Sequence, residues 1–387
     1  MHTRDRAFLC RRIQFFKILA ASFLLAALPA FAAVVDVTKA AVVGDGATMN
    51  TVSIQKAIDD CTASASGTLQ FPAGRYLTGT IQIKSKVTLR LEEGATLLGS
   101  TAAGDYQNLD PFIDRSGNPM GHALIVAVDA VNVGIEGITI RCRGLKMHNN
   151  DGINIDSSEG IRVKNCDIDS GDDALVIKAT SATKPCRDIT ATDCKLSTRT
   201  NAIKLGTESI GGFENISVTK CQITNTQMDG IALYAVGGGD LLNVTVSDVT
   251  MDGVTLPVSI RLGSRLKTFR EGEQPKSRAG RLREVIVKNV SGKNIGMIGM
   301  LINGTPGHPV EALTLQNITL ELPGGGAAAA AKVRLSEKEA ALTCSEPPCP
   351  PSASTPATSE AFSLKTCGSI RSRPTPVPPR FSWMRKT

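Results

Sequence analysis

Four stretches from the middle of the chain, GIRVKNCDI (160–168), DITATDCKL (188–196), NISVTKCQI (215–223) and NVTVSDVTM (243–251), start at intervals of 28, 27 and 28 residues. NVGIEGITI (132–140) precedes them by one period, and EVIVKNVSG (284–292) and ALTLQNITL (312–320) follow. The period stretches once, to 41, where LGSRLKTFREGEQPKSRAGRLR (262–283) adds a polar loop. Each unit alternates apolar and polar residues as a strand does, then meets Asn, Asp or Lys followed by Cys, Val or Ile at a turn. A second series, DGINID (151–156), DALVIK (173–178), NAIKLG (201–206), DGIALY (229–234) and PVSIRL (257–262), holds the same place in every period. Short strands at a fixed repeat predict an all-β solenoid, a parallel β-helix, because one coil cannot bury its apolar side without neighbours. Helical solenoids are excluded by the period-two alternation.

Outward from the repeat, GTLQFPAGRYLTGTIQIKSKVTLRLEEGATLLGS (67–100) continues the strand pattern toward the N-terminus. Ahead of it TVSIQKAIDDC reads as a short amphipathic helix with Ile54, Ala57, Ile58 and Cys61 on one face and Asn50 or Thr51 as its cap. Such a helix would close the open end of the stack. Cys166, Cys194 and Cys221 recur at one turn position, which predicts a row of stacked core thiols continued by Val249, Val290 and Ile318. A zinc site would need short C-x₂₋₄-C spacing, so no metal is assigned.

The chain has 387 residues, 42% apolar and 4% aromatic, a globular composition. Residues 1–32 hold a basic start, an apolar run from Ile18 to Leu28 and Pro29-Ala30-Phe31-Ala32, the pattern of a signal peptide. A secreted or periplasmic protein is expected, with no membrane span after the leader is removed. Arg4, Arg6, Arg11, Arg12 and Lys17 against Asp5 leave +3 of the formal +7 for the remaining chain. That is too little to suggest nucleic acid as a partner. Removing Cys10 leaves nine cysteines, an odd number that argues against a complete disulfide framework. Residues 33–341 are expected to form the β-helix. From 342 the sequence becomes rich in Pro, Ser and Cys and loses all strand periodicity, as an aberrant or frameshifted end or a disordered tail would.

The chemical signal is a cluster of acids. Asp151 and Asp173 begin equivalent strands 22 residues apart, so they belong on adjacent coils, about 5 Å apart along the stack, with Asp172 beside them. Like charges at that range raise at least one carboxyl pKa, which keeps an acid protonated beside ionised neighbours. This suits hydrolysis of a glycosidic bond, which needs one acid for the departing oxygen and one carboxylate for the attacking water. Sequence alone leaves the choice between inversion and retention open. The plainer alternative is that these residues only end strands and bond local backbone.

These residues carry a family resemblance. FPAGRYLTGTIQIKSKVTLRLEEGATLLGS, NND at 149–151 and SGDDALVIK at 170–178 resemble the polygalacturonase family of glycoside hydrolases, over roughly residues 34 to 340. The resemblance implies a right-handed, single-stranded parallel β-helix that hydrolyses pectic polysaccharide with inversion and no cofactor. It implies Asp172 as general acid, with Asp151 and Asp173 positioning and activating water. Asn150 and Asn201 join the substrate-binding candidates, and the protein is expected to act as a monomer.

Two departures matter. The family's G-H-G histidine is replaced by Asn201, in register with Asp173. Its R-I-K cations are replaced by Ala232 and Tyr234. A polyuronide binder needs cations, so that role passes to Lys178, Lys204, Arg261, Arg265 or Lys267. The family's usual extra coil before N-x-D is also missing, which implies a shortened groove. GTES (206–209) resembles a divergent bacterial branch, which admits a rhamnogalacturonan-type hydrolase. A β-elimination polysaccharide lyase and a catalytically degenerate carbohydrate-binding β-helix are the remaining alternatives.

Overall fold

The computed structural model describes residues 33–109, 122–143 and 150–323, and the backbone of Ile370–Ser372. The signal-peptide reading of residues 1–32 lies outside the described residues, as does the tail reading of 342–387 apart from that short strand.

Three strands recur in each coil and pair in parallel with their equivalents in the coils before and after. One face stacks Ala123–Val128, Asp151–Asp156, Leu175–Ala179 and Ile203–Ser209, then residues 229–235, 256–262 and 300–303. A second stacks Val131–Glu136, Glu159–Lys164, Cys186–Thr192 and Phe213–Thr219, then residues 241–247 and 282–288. The third runs through Thr139–Arg141, Asp167–Ser170 and Lys195–Thr198. Ile370–Ser372 adds a strand against Leu320–Leu322. The chain is therefore a right-handed parallel β-helix.

The turns that close each coil were legible. Asn165, Asp193, Lys220, Asp248, Asn289 and Asn317, one per repeat, all adopt φ between 52° and 58°. This left-handed corner is tolerated best by Asn and Asp, which explains their recurrence. The residue after each corner turns inward. Cys166, Cys194, Cys221, Val249, Val290 and Ile318 are all buried, and the three thiols are free. The same row of small apolar groups that defines the period thus fills the narrow coil interior.

Helix Thr51–Ala63 buries Ile54, Ala57, Ile58 and Cys61, the face read from sequence. Its Gln55 side chain accepts from Gln82 N at 2.9 Å and donates to Gln82 O at 3.0 Å, satisfying a strand edge. The cap differs from expectation: Asn50 stands at the N-cap position but makes no capping bond. Its amide instead joins Val43 N and O and Thr48 O, tying down the preceding turn. Thr51 accepts from Gly79 N.

Candidate active site

Asp151, Asp173, Asn201 and Asp229 form one column on successive coils. Gly152 N donates to Asp173 O, Ala174 N to Asn201 O and Ala202 N to Asp229 O, each at 2.9 Å. The coil from Asp151 to Asp173 is the short 22-residue one. Asp172 occupies the turn before Asp173, where Ser170 Oγ and Thr198 Oγ1 both donate to its carbonyl oxygen. Its N–H donates to Asn150 O at 3.2 Å. Gly171 is required in this turn, since a Cβ there would lie 2.3 Å from the Asn150 amide. The result is that oxygens of Asp151, Asp172 and Asp173 lie within 4.8 Å of one another.

Two lysines face this trio. Lys178 Nζ lies 3.0 Å from Asp151 Oδ2, and Lys204 Nζ 2.7 Å from Asp173 Oδ2. Asn201 donates to Asp173 Oδ1 from Nδ2 at 2.7 Å and from its backbone N at 3.2 Å. Thr200 Oγ1 bridges Asp172 Oδ1 at 2.7 Å and Asp173 Oδ1 at 3.0 Å.

These surroundings separate the three carboxyls. Burial pushes Asp173 up, but the Lys204 charge and hydrogen bond and the Asn201 amide outweigh it and hold the group below the usual range. Asp172 is pushed up by burial and by the charge of Asp173, with Lys204 and Thr200 opposing. For Asp151, burial overrides Lys178, and the neighbouring acids add to it, so the carboxyl is raised to about 8. One ionised carboxylate thus stands beside two groups that favour their protons. The trio is the cluster of described residues with cation-binding geometry, and the two ammonium groups already supply positive charge there.

The other sequence-derived candidates sit around this centre. Asn150 is buried, with Nδ2 donating to Cys142 O at 3.0 Å. Asn201 has its amide engaged with Asp173. Arg261 is buried on the same face, paired in register with Tyr234. Arg265 Nη1 reaches Thr207 Oγ1 at 3.1 Å and Glu208 at 3.7 Å.

Several site residues escaped the sequence reading. Glu208, inside the GTES string, is buried; burial pushes its pKa up, but Lys178, Lys204 and Arg265 hold it below the usual range. Asp229 accepts from Tyr234 Oη, and Tyr234 also reaches Ser259 Oγ at 3.0 Å. Burial raises Asp229 to about 6. Both residues lie in the DGIALY string (229–234). His122 stands one coil ahead of Asn150, accepting from Asp151 N through its carbonyl at 3.4 Å.

The polar loop of the stretched repeat is anchored to the coils by side-chain contacts. Arg270 binds Asp156 Oδ2 at 3.0 Å, Asp129 Oδ2 at 2.9 Å and Thr180 Oγ1 at 3.0 Å. Glu273 accepts from Ser181 Oγ and Ala182 N, and Lys276 Nζ donates to Ala182 O. The loop therefore runs back along the ends of the site strands and is pinned there.

Residues 118–342 match the family model described as Glycosyl hydrolases family 28, more than half of the chain. The chain belongs to that family. Family 28 relatives include an exo-poly-alpha-D-galacturonosidase of Dickeya chrysanthemi, 47% identical over 96 residues, covering 25% of this chain and 16% of that protein. A probable polygalacturonase of Vitis vinifera is 24% identical over 361 residues, 72% of each chain. The chain thus spans about one sixth of the first of these relatives and nearly three quarters of the second. Among solved structures, a polygalacturonase from Erwinia carotovora superposes with a TM-score of 0.52 at 18% identity, over 86% of this chain and 92% of that one. This last likeness is one of fold.

Proposed function

We propose that this family 28 member hydrolyses O-glycosidic bonds in pectic polysaccharide by an inverting acid/base mechanism. The observation that carries the reading is the convergence of three carboxyls whose surroundings drive their proton affinities apart. Asp172, raised by burial and by its ionised neighbour, donates its proton to the departing glycosidic oxygen. Asp173, kept ionised by Lys204 and Asn201, takes a proton from the attacking water. Asp151, raised to about 8, positions that water together with Lys178. Asn150, Asn201, Lys178, Lys204 and Arg261 line or brace the substrate-binding side. The names of the Dickeya and Vitis relatives support galacturonan as the substrate class. A rhamnogalacturonan remains the second substrate, given the loss of the family's Arg and Lys at Ala232 and Tyr234.

A lyase reading needs a basic residue able to give up its own proton near neutrality. Lys204 runs the other way: burial disfavours its charge, but Asp173, Asp172 and Glu208 outweigh that and raise its pKa. The basic, apolar start of the sequence supports export, and among the described residues no helix is long and apolar enough to cross a membrane. The protein is read as a secreted or periplasmic monomer.

The test is reducing-end release from polygalacturonate and from rhamnogalacturonan, comparing the full chain with Asp172→Asn. Release by the wild type and a loss of about 100-fold or more in the variant is expected. Equal release by both would defeat the acid assignment, unsaturated products would indicate elimination, and no release from either polymer would favour a binding role.

A further inference from the structure

The GTES string (206–209) forms a β-bulge opposite Lys178. Ile177 pairs with Leu205 and Ala179 with Ser209, so Gly206, Thr207 and Glu208 together stand against Lys178 alone. Bulges re-aim side chains and collect beside active sites. Here the re-aimed side chain is Glu208. Ile177 and Ala179 lie in the core, which turns Lys178 outward, and Glu208, just ahead of the Ala179 partner Ser209, turns outward on the same face. Ser209 Oγ pins the bulge by accepting from Val236 N at 2.9 Å and from Gly237 N at 2.8 Å.

Glu208 is 3% exposed and sits among cations. Thr207 Oγ1 donates to its Oε1 at 2.9 Å, and Arg265 Nη1, from the polar loop, lies 3.7 Å from the same oxygen. Lys178 on the preceding coil and Lys204 on the same strand complete the set, and Lys178 acts on Glu208 more strongly than the other two. Tyr234, on the following coil, gives its hydroxyl to Asp229. Charge balance gives the buried carboxylate a purpose. Lys204 is matched by Asp173. Lys178 stands 3.0 Å from Asp151, but an ionised Asp151 would lie within 4.8 Å of the ionised Asp173 and be repelled by it. Asp151, which also faces Asp172 and Lys204, keeps its proton to about 8. The buried Lys178 charge then requires a second negative partner, and Glu208 meets that need.

We propose that Glu208 is a positioning residue: acting through Lys178 and Lys204, it balances their buried charge so that the acid trio has to carry only one negative charge of its own. Without Glu208 the balancing charge falls on the trio. Its carboxyls titrate together, so the loss shows as a second ionisation of the cluster at lower pH rather than as a change in one residue. An acid cluster that ionises twice near neutrality has one proton fewer for the departing oxygen and the water. The proposal rests on the glycoside-hydrolase reading above.

The experiment follows kcat/KM against pH for the full chain, Glu208→Gln and Glu208→Asp, on whichever of polygalacturonate and rhamnogalacturonan the wild type cleaves. In Glu208→Gln the basic limb is expected to move down by about one pH unit, the scale of removing one charge from a buried site, while Glu208→Asp keeps it near the wild-type position. Melting temperature reads the same titration without substrate. The pH-dependent gap between each protein and its Asp151→Asn counterpart should level off about one unit lower in the Glu208→Gln background. His122, on which Lys178 also acts, is common to both members of each pair and drops out of the difference. A folded Glu208→Gln whose limb and melting gap stay at the wild-type pH overturns the proposal however far kcat falls, because Glu208 would then only hold the bulge; an active wild type in that case leaves the hydrolase reading intact. If Glu208→Gln does not fold, the double variant Lys178→Met/Glu208→Gln decides. Removing both charges together is expected to restore a folded protein, and a double variant that also fails to fold overturns the pairing. A wild type that releases nothing from either polymer defeats the hydrolase reading, and a role for Glu208 in the reaction falls with it.

Discussion

Lys204 Nζ lies 2.7 Å from Asp173 Oδ2, reaching back one coil from its own strand. The side chains are 16% and 3% exposed, so neither charge can turn to water if the other is removed. In Lys204→Met the Asp173 carboxyl keeps Asn201 and Thr200 but loses its counter-charge, and its pKa rises. The acid limb of the pH dependence of kcat/KM then moves to higher pH. The stability side has a definite sign. Asp173 has a depressed folded pKa, so its contribution is present above the ordinary carboxylate range and is lost as pH falls through the folded value. Breaking such a pair from one side costs about 3–5 kcal/mol when it is buried. The variant should therefore melt well below wild type at neutral pH, with the gap narrowing in acid. An acid limb that stays in place would refute the pairing as the source of the depressed pKa.

Asp151 titrates in the opposite sense. Its folded pKa of about 8 stands above the ordinary value of 3.8. The folded chain keeps a proton that the unfolded chain releases over that interval. The stabilisation is full below about 4 and drains away as pH rises toward about 8. Asp151→Asn keeps the shape of the protonated acid and cannot lose the proton. The wild type should therefore lose melting temperature relative to the variant between pH 5 and pH 8. Asp172 is raised in the same sense but is present in both proteins. A difference that is flat across this interval would show that Asp151 is ionised throughout.

The coil was legible because its determinants are local and repeated. Asn or Asp at the left-handed corner, and Cys, Val or Ile just after it, recur wherever the chain turns. The column Asp151–Asp173–Asn201 followed from the same register. What stayed hidden depends on which side chain reaches which. Nothing in DALVIK says that Lys178 reaches Asp151 on the preceding coil. Nor does NAIKLG disclose that Lys204 reaches Asp173. The Arg270 contact joins positions 141 residues apart in sequence through Asp129, beyond any periodic signal. Glu208 and Asp229 carry no such signal either, because their burial and their contacts with Lys178, Lys204, Arg265 and Tyr234 come from other coils or from across the strand.

Arg270 provides the third test. Its guanidinium joins Asp156, fully buried, with Asp129 and Thr180. Asp156 also accepts from Thr180 N at 2.8 Å, so it is not stranded by the loss of the arginine. Arg270→Ala should lower stability by about 1–3 kcal/mol, the scale of losing a hydrogen bond to a buried charge. The loop should become the first site of tryptic cleavage, at Lys276 or Arg278, even though Glu273 and Lys276 still tether it to Ser181 and Ala182. Limited proteolysis followed by mass spectrometry reads this directly. If cleavage at the loop is as slow as in wild type, Arg270 is not what pins it.

The stereochemistry of hydrolysis is the last test, and the geometry makes it a demanding one. The nearest oxygens of the trio lie within 4.8 Å. Most inverting enzymes separate acid and base by about 6.5–9.5 Å, whereas retaining pairs stand about 5–5.5 Å apart. Spacing alone would favour a carboxylate nucleophile. The bonding around Asp173 argues against it. Oδ1 accepts from Thr200, from the Asn201 amide and from the Asn201 backbone, while Oδ2 accepts from Lys204. A carboxylate held by four donors is a poor nucleophile toward the anomeric carbon, though it can still orient a water and take up its proton. Asp151 keeps its proton to about 8 and is no better placed. The first-formed product should therefore carry the inverted anomeric configuration, read by proton NMR within the first turnovers, and an acid-quenched reaction should show no glycosyl adduct by mass spectrometry. A retained anomer, or an adduct on Asp151 or Asp173, would establish that the short spacing governs and that one of these carboxylates attacks the sugar directly.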